Sequence, residues 1–314
     1  APSIRENSRR SWRRSNKRFL PFLNWRSKQP NKDVILMYEI VTKKELAPNI
    51  YLIELDAADI AKKSKPGKFV IIRTDEKGER VPLTIAGIDL NKGTVSTAFH
   101  AVGRTTKKLA KMNAGDSITD LSGPLGNPAE VGKFGQVLLV GGGVWCAPLL
   151  YVAEALRKNG NKLFITVAGR TKNDMVYENE LKEVADQFFV VTDDGSKGNQ
   201  GLDFLADVLK AQKFDHAVVM GPVSTLKKVV ELTRPYGLKT MVTLASLMVD
   251  GTGMCGACRV TVAGETRFAC MDGPEFNGLD VDFDELIKRQ RMYLPEERMA
   301  SMIYDKLGGG VKRG

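Results

Sequence analysis

Cys255, Cys258 and Cys270 lie within D-G-T-G-M-C-G-A-C-R-V-T-V-A-G-E-T-R-F-A-C, residues 250 to 270. Two thiolates at C-x2-C spacing with a third further on suit a metal or cluster site, and a four-coordinate site asks for one more ligand. Plant-type [2Fe-2S] sites use C-x4-C-x2-C with a distant fourth cysteine. Counting five back from Cys255 reaches Asp250, whose carboxylate oxygen can bind iron. The candidate ligands are therefore Asp250, Cys255, Cys258 and Cys270. Two alternatives stay open. Zinc favours C-x2-C equally but would still lack a fourth ligand, since His100 and His216 fall in other expected domains and Cys146 stands beside a glycine triplet. The other alternative is a set of reduced, buried cysteines, with Asp250 capping a turn.

A second constellation is V-L-L-V-G-G-G-V-W-C-A-P-L-L, in which an apolar run enters Gly141, Gly142 and Gly143 and then a helix start. Glycines let backbone amides approach a pyrophosphate, and the helix N-terminus favours its charge. Pro148 is tolerated early in that helix, where amides lack intrahelical partners. Gly169 and Arg170, Asp193, and Gly221 with Pro222 each follow an expected strand, so they should line the same carboxyl edge of a parallel sheet. A tight strand-to-helix turn without a ligand is the plainer reading of the triplet alone. A third set, R-V-P-L-T-I-A-G at 80 to 87 and G-R-T-T at 103 to 106, offers Arg80 to a phosphate and Thr84 to a ring edge.

The elements that must hold these residues follow from periodicity. Short β-branched and aromatic runs separated by Pro, Gly and Asn turns across roughly 34–132 suggest an antiparallel β-barrel. From Gln136 the rhythm changes to strand, helix, strand, helix, which means a parallel sheet covered on both faces, taken as 133–236. Residues 237–285 form a Gly-rich cysteine segment, 283–304 read as a closing helix, and 286–314 are taken as a docking helix and tail whose Met292, Tyr293, Leu294, Met299, Met302 and Ile303 offer apolar surface to a larger partner. The fold class is thus multidomain β plus α/β.

The net charge of +10 is concentrated in an arm: residues 1–32 hold ten Lys or Arg against Glu6 alone. Trp12, Phe19, Phe22 and Trp25 interleave these charges, so the arm, bounded at 1–33, reads as a docking peptide, with a targeting or disordered segment as the plainer alternative. The nearly neutral remainder argues against nucleic acid as the main partner, and a nucleic-acid or membrane-surface module using the arm on a degenerate scaffold stands as the rival reading. No apolar stretch approaches the ~20 residues of a membrane helix, and the cysteine usage suits a reducing cytoplasm.

Taken together, R-x-P-x-T-I, G-x-x-T, the G-G-G turn and the terminal cysteines resemble the ferredoxin-NADP reductase superfamily over roughly 34–295. Within it they are similar to the small subunits of NADH-dependent ferredoxin:NADP oxidoreductase, also known as sulfide dehydrogenase small subunits, and to the electron-transfer subunit of dihydroorotate dehydrogenase. The resemblance implies FAD, with Arg80 on its pyrophosphate, Thr84 facing the isoalloxazine as the catalytic candidate, and Gly103, Thr105 and Thr106 on its phosphates. Pro82, Leu83, Phe99 and Ala101 complete the expected flavin site. It supports Asp250 as a cluster ligand, because the ferredoxin:NADP relatives carry V-D-G-T-G-M-C-G here, whereas the dihydroorotate relatives have a cysteine. It further implies an NAD(H)-linked oxidoreductase, with NADP(H) left open, in complex with a larger flavin or iron-sulfur subunit, with ferredoxin a further candidate partner and electron bifurcation a further expectation. One departure stands out: V-W-C-A-P replaces a run of small residues, so Trp145 and Cys146 stand where they could narrow the nicotinamide pocket.

Overall fold

The computed structural model describes residues 37–76 and 78–307. The basic arm and its docking reading lie outside them. The first sheet contains β1 (Tyr38–Ala47), β2 (Ile50–Asp56), β3 (Phe69–Arg73), β4 (Val81–Asp89), β5 (Thr94–His100), β6 (Ser117–Ile118) and β7 (Asp120–Leu125). Their order is β6-β1-β2-β5-β4-β3-β7, and every pairing is antiparallel, giving a nearly closed barrel. Helices α1 (Ala58–Lys63) and α2 (Arg104–Lys111) complete it. Ile53, Ile85, Val95, Phe99 and Leu109 fill the interior.

β3 departs from the alternation expected of a barrel strand, since Phe69, Val70, Ile71 and Ile72 are all buried. Both faces are covered: Val70 and Ile72 point into the barrel, while Phe69 and Ile71 pack with Met248, Cys258 and Cys270. A continuous apolar run is what a strand buried on two sides requires. Pro82 is not on an edge strand, but it sits opposite Ile71 where β4 has not yet met β5, whose pairing begins at Ile85, so its missing N–H costs no ladder bond.

The second sheet runs β11-β10-β9-β8-β12-β13-β16. It comprises β8 (Gln136–Gly142), β9 (Lys162–Gly169), β10 (Gln187–Thr192), β11 (Asn199–Gln200), β12 (His216–Met220), β13 (Thr240–Thr243) and the antiparallel edge strand β16 (Glu275–Asn277). Helices α3 (Cys146–Lys158), α4 (Glu178–Val184), α5 (Leu205–Ala211) and α6 (Val223–Thr233) alternate with the strands. The sheet therefore continues past residue 236. The short runs T-M-V-T and E-F-N join it from a segment whose glycines mask strand character. Between these two strands, β14 (Arg259–Val262) and β15 (Glu265–Phe268) form a hairpin. Its two-residue turn has Ala263 and Gly264 both at positive φ, the backbone twist that tight hairpins need.

The helix after β9, α4, begins only at Glu178, because Val176 is drawn into the core and Tyr177 takes a left-handed backbone. The closing helix is two helices, α7 (Phe283–Gln290) and α8 (Leu294–Lys306). Pro295 cannot donate a helical N–H, and its ring would meet the carbonyl of Arg291 in a continuous helix. α8 docks on α2, with Tyr304 buried and Lys107 Nζ donating to Ser301 Oγ (2.9 Å) and Asp305 Oδ2 (2.6 Å).

The connection between the sheets is pinned to the segment that follows Cys270. Asn127 Nδ2 donates to the Met271 and Asp272 carbonyls at 3.0 Å, and the Glu130 amide donates to Glu275 Oε2 at 2.9 Å. Glu275 Oε1 is buried without a partner among the described residues, and burial pushes the carboxyl up to about 7. The folded state holds this proton more tightly than the unfolded chain. Its contribution is therefore complete below about pH 4.5 and is lost as the pH rises through about 7. A rise of this size corresponds to on the order of 3 kcal/mol. Glu275→Gln should flatten the decline, so that the melting temperatures of variant and wild type diverge between about pH 5 and about pH 8; parallel curves would show that Glu275 does not titrate there.

Candidate functional site

Strand order reverses at β8, which has β9 on one side and β12 on the other, and α/β sheets open a ligand crevice at such a point. The backbones of the two glycine turns meet there. A Cβ on Gly142 would stand 3.0 Å from Pro222 Cδ and 3.4 Å from Gly221 Cα, so a side chain here would crowd the facing turn. Above them lies a cleft of about 560 Å³, lined among others by Gly142, Gly143, Gly169, Arg170, Asp193 and Pro222. Six expected residues from separate turns thus share one cavity. Gly141 is buried at the strand end below, and Pro148 is buried in α3, so neither reaches the cleft.

Sequence reasoning missed several residues of the same cleft. Ile50 and His100 come from the barrel, so the cavity is walled by both sheets, while Ser224 and Thr225 open α6 and Asp174 follows β9. A hydroxyl pair just after Gly-Pro was the available signal for the second group; His100 had none. Burial, and then the nearby Arg170, hold the His100 imidazole below its usual range. Arg170 bonds Asp174 Oδ2 at 3.1 Å. Trp145 lines the cleft, but Cys146 does not: its thiol is fully buried in the core behind β8 and pushed up to about 12 by desolvation. Cys146 is therefore removed from the expectation, and Trp145 remains as a lining residue of the cleft.

On the barrel, Thr84 is half-buried and pairs with Phe69, Pro82 is half-buried, and Leu83 is turned into the interior. Phe99 is a correction, since its ring is buried against Tyr51 at 5.8 Å between centroids and presents no face to a flavin. Ala101 donates its amide to the Asn49 carbonyl at 2.8 Å, which steers the chain into Gly103. Thr106 Oγ1 bonds the backbone of Gly103, and Thr105 Oγ1 donates to Glu79 Oε2 at 2.8 Å. Among the described residues no side chain caps the first-turn amides of α2, and such orphan donors fit a phosphate. Arg80 is half-buried and committed within the protein: Nη1 to Asp120 Oδ2 (3.0 Å), Nη2 to Ser122 Oγ (3.1 Å) and Nε to the Val249 carbonyl (2.9 Å).

That last bond leads to the cysteine loop. Asp250 accepts from the Thr252 amide through Oδ1 (3.0 Å) and from the Cys255 amide through Oδ2 (2.8 Å). The Thr252 amide, and then that of Cys255, hold its carboxyl below the usual carboxylate range, so it is ionised as a metal ligand must be. Each oxygen keeps a further lone pair for a metal. The hairpin brings Cys258 and Cys270 together at 3.2 Å between sulfurs, both buried, whereas Cys255 is exposed. Among the described residues no three such side chains converge on one metal position. The close contacts are the sulfurs of Cys258 and Cys270 with each other, and Asp250 Oδ2 with the Cys255 amide.

Comparison with known proteins finds an iron-sulfur domain over the cysteine segment. Residues 245–282 match the family described as the iron-sulfur cluster binding domain of dihydroorotate dehydrogenase B. A Thermotoga maritima homologue of the dihydroorotate dehydrogenase B (NAD(+)) electron transfer subunit is 42% identical over 273 residues, covering 86% of this chain and 96% of its own. The Clostridium perfringens subunit is 32% identical over 242 residues, covering 76% and 94%. Among solved structures, one from work on flavin-based electron bifurcation by an NADH-dependent reduced ferredoxin-NADP oxidoreductase aligns with a TM-score of 0.80 at 40% identity, covering 86% of this chain and 98% of that one. The chain belongs to the family of dihydroorotate dehydrogenase B electron-transfer subunits and their homologues.

Proposed function

We propose that this chain is the electron-transfer flavo-iron-sulfur subunit of an NAD(P)H-dependent oxidoreductase, working with a larger flavin or iron-sulfur subunit. The observation that carries the reading is that one barrel serves both ends of the path: it walls the nucleotide cleft through Ile50 and His100, and it seats the cysteine loop through Ile71 and Arg80. When bound, FAD would supply acceptance of one hydride, that is two electrons, and a [2Fe-2S] cluster would supply their onward transfer one at a time. The uncapped start of α2 would hold the flavin phosphates, and Thr84 would face the ring. Gly142 and Gly143 would admit the nucleotide pyrophosphate. Asp250, Cys255, Cys258 and Cys270 would hold the cluster.

Around the cysteine loop Val249, Met254 and Met271 are exposed, with Met254 at 86%. Exposed apolar side chains of this kind suit a protein partner covering the electron exit. The bifurcating relative supports a place in such a complex, and ferredoxin is a candidate acceptor. Among the described residues no helix is long and apolar enough to cross a membrane, and all four cysteines are free; a cytoplasmic location belongs to the same proposal. Assaying the purified protein for flavin, iron, zinc and acid-labile sulfide tests the reading, which requires one FAD and two irons per chain.

The carboxylates favour NADH. Asp193 and Asp174 both line the cleft, and Arg170 is paired with Asp174, so a 2′-phosphate there meets more negative than positive charge. Like-charge juxtaposition disfavours NADPH. Asp193→Ser should narrow the preference for NADH over NADPH by about tenfold, equivalent to 1.4 kcal/mol. An unaltered ratio in anaerobic flavin reduction would remove Asp193 from the specificity site.

A further inference from the structure

We propose that Arg80 is a positioning residue for the iron-sulfur loop, fixing the half of the ligand set that contains Asp250 to the flavin barrel. The inference rests on the cluster reading above and assigns Arg80 a task separate from the flavin.

The guanidinium is a planar fork, and two partners on one strand set its plane. Asp120 and Ser122 lie two residues apart on β7, so both side chains stand on the same face and receive Nη1 and Nη2. With those two bonds made, Nε–H is aimed outward at the Val249 carbonyl, 169 residues further along the chain. Val249 immediately precedes Asp250. On the other side, Gly251 is wedged onto the barrel at φ +76, where a Cβ would stand 2.6 Å from Ile71 Cδ1 and 2.7 Å from Leu125 Cδ1. Asp250 is bracketed between two contacts to the barrel. Its carboxylate in turn organises the loop by receiving the amides of Thr252 and Cys255.

The other ligand pair is held differently. Cys258 and Cys270 flank the β14–β15 hairpin, closed by the Ala269 amide on the Cys258 carbonyl at 3.1 Å. The four ligands therefore come from two supports: the hairpin sets the spacing of one pair, which packs on β3 through its apolar face, and the barrel fixes the other pair through Arg80 and Gly251. Arg80 sets how the two pairs face each other across the cluster. Lysine cannot replace it, because one ammonium cannot span β7 and the Val249 carbonyl in the same fixed plane.

The test uses the full chain with its cluster and saturating FAD, comparing Arg80→Lys, Arg80→Gln and Gly251→Ala with wild type. The readouts are the EPR g-anisotropy and midpoint potential of the reduced cluster, the rate of iron loss to a chelator, and FAD affinity. All three variants should keep two irons but show altered anisotropy and potential. Iron should be lost about tenfold faster, as is usual when an outer partner of a ligand is removed, and Lys should not rescue Gln. If an Arg80 variant fails to fold, Ser122→Ala, which removes one tine of the fork, should show the same EPR change in smaller measure. Unchanged cluster signals with weakened FAD binding would overturn the proposal and leave Arg80 to the flavin alone. A wild-type protein that contains FAD but neither iron nor sulfide would instead overturn the cluster reading on which it rests.

Discussion

Replacing Cys258 by Ser should reduce iron and acid-labile sulfide in the purified protein to background while leaving FAD bound. Cys258 is 1% exposed, and its sulfur lies 3.2 Å from that of Cys270. A serine oxygen there would be a buried neutral hydroxyl, whereas the ligand set proposed here is anionic, three thiolates and one carboxylate. The flavin should survive because the barrel interior, built around Ile53, Ile85 and Val95, contains no residue of the hairpin. Asp250→Cys should behave oppositely. It supplies a thiolate where the carboxylate stands, so two irons should remain, with the EPR signal and potential shifted. Spectra identical to wild type would show that Asp250 only closes its turn. Equimolar zinc without sulfide in the wild-type protein would end the iron-sulfur assignment altogether.

How far the sequence could be read depended on whether the signal was local. C-x2-C, the glycine triplet and Gly-Pro are local features, and the structure brings the strand-end turns into one cleft and the sulfurs of Cys258 and Cys270 within 3.2 Å. Phe99 was misjudged because its alternation with Thr97 and Val95 is that of a core residue, while neighbouring motif residues drew it toward the flavin. Cys146 differs from Trp145 by a single position at a strand-to-helix turn, and that position sends one side chain into the core and the other into the cleft. The sheet's last strands were hidden because T-M-V-T and E-F-N are too short to show a period. The bond from Arg80 to Val249 spans 169 residues, and no pattern along the chain announces it. The unbroken F-V-I-I of β3 was legible as a strand, but its second buried face became intelligible only once the cysteine segment was seen against it.

Trp145→Ala should accelerate anaerobic reduction of the bound flavin by NADH, because the indole lines the cleft that the proposed nicotinamide site would use. Trp145 ends a short 3-10 turn, Gly143–Trp145, and lines the cavity with Ile50, His100, Gly142 and Gly143. It is half-buried against the core around α3, so it is held in place. A misplacement of about 1 Å between reacting groups can cost about a hundredfold in rate, and removing the ring should recover a gain of that order. The backbone at Trp145 is helical, φ −71 and ψ −11, so alanine introduces no strain. Cys146→Ala provides the control. That thiol is sealed behind β8, and desolvation pushes it up to about 12, so it is neither a wall of the cleft nor a reactive group at neutral pH. Its removal should leave the rate unchanged. If wild type and Trp145→Ala bleach equally fast, the pocket is open as built and Trp145 serves only as its wall. If wild type alone is slow, electrons enter the isolated chain poorly from NADH, and in the assembled complex the partner subunit is their source.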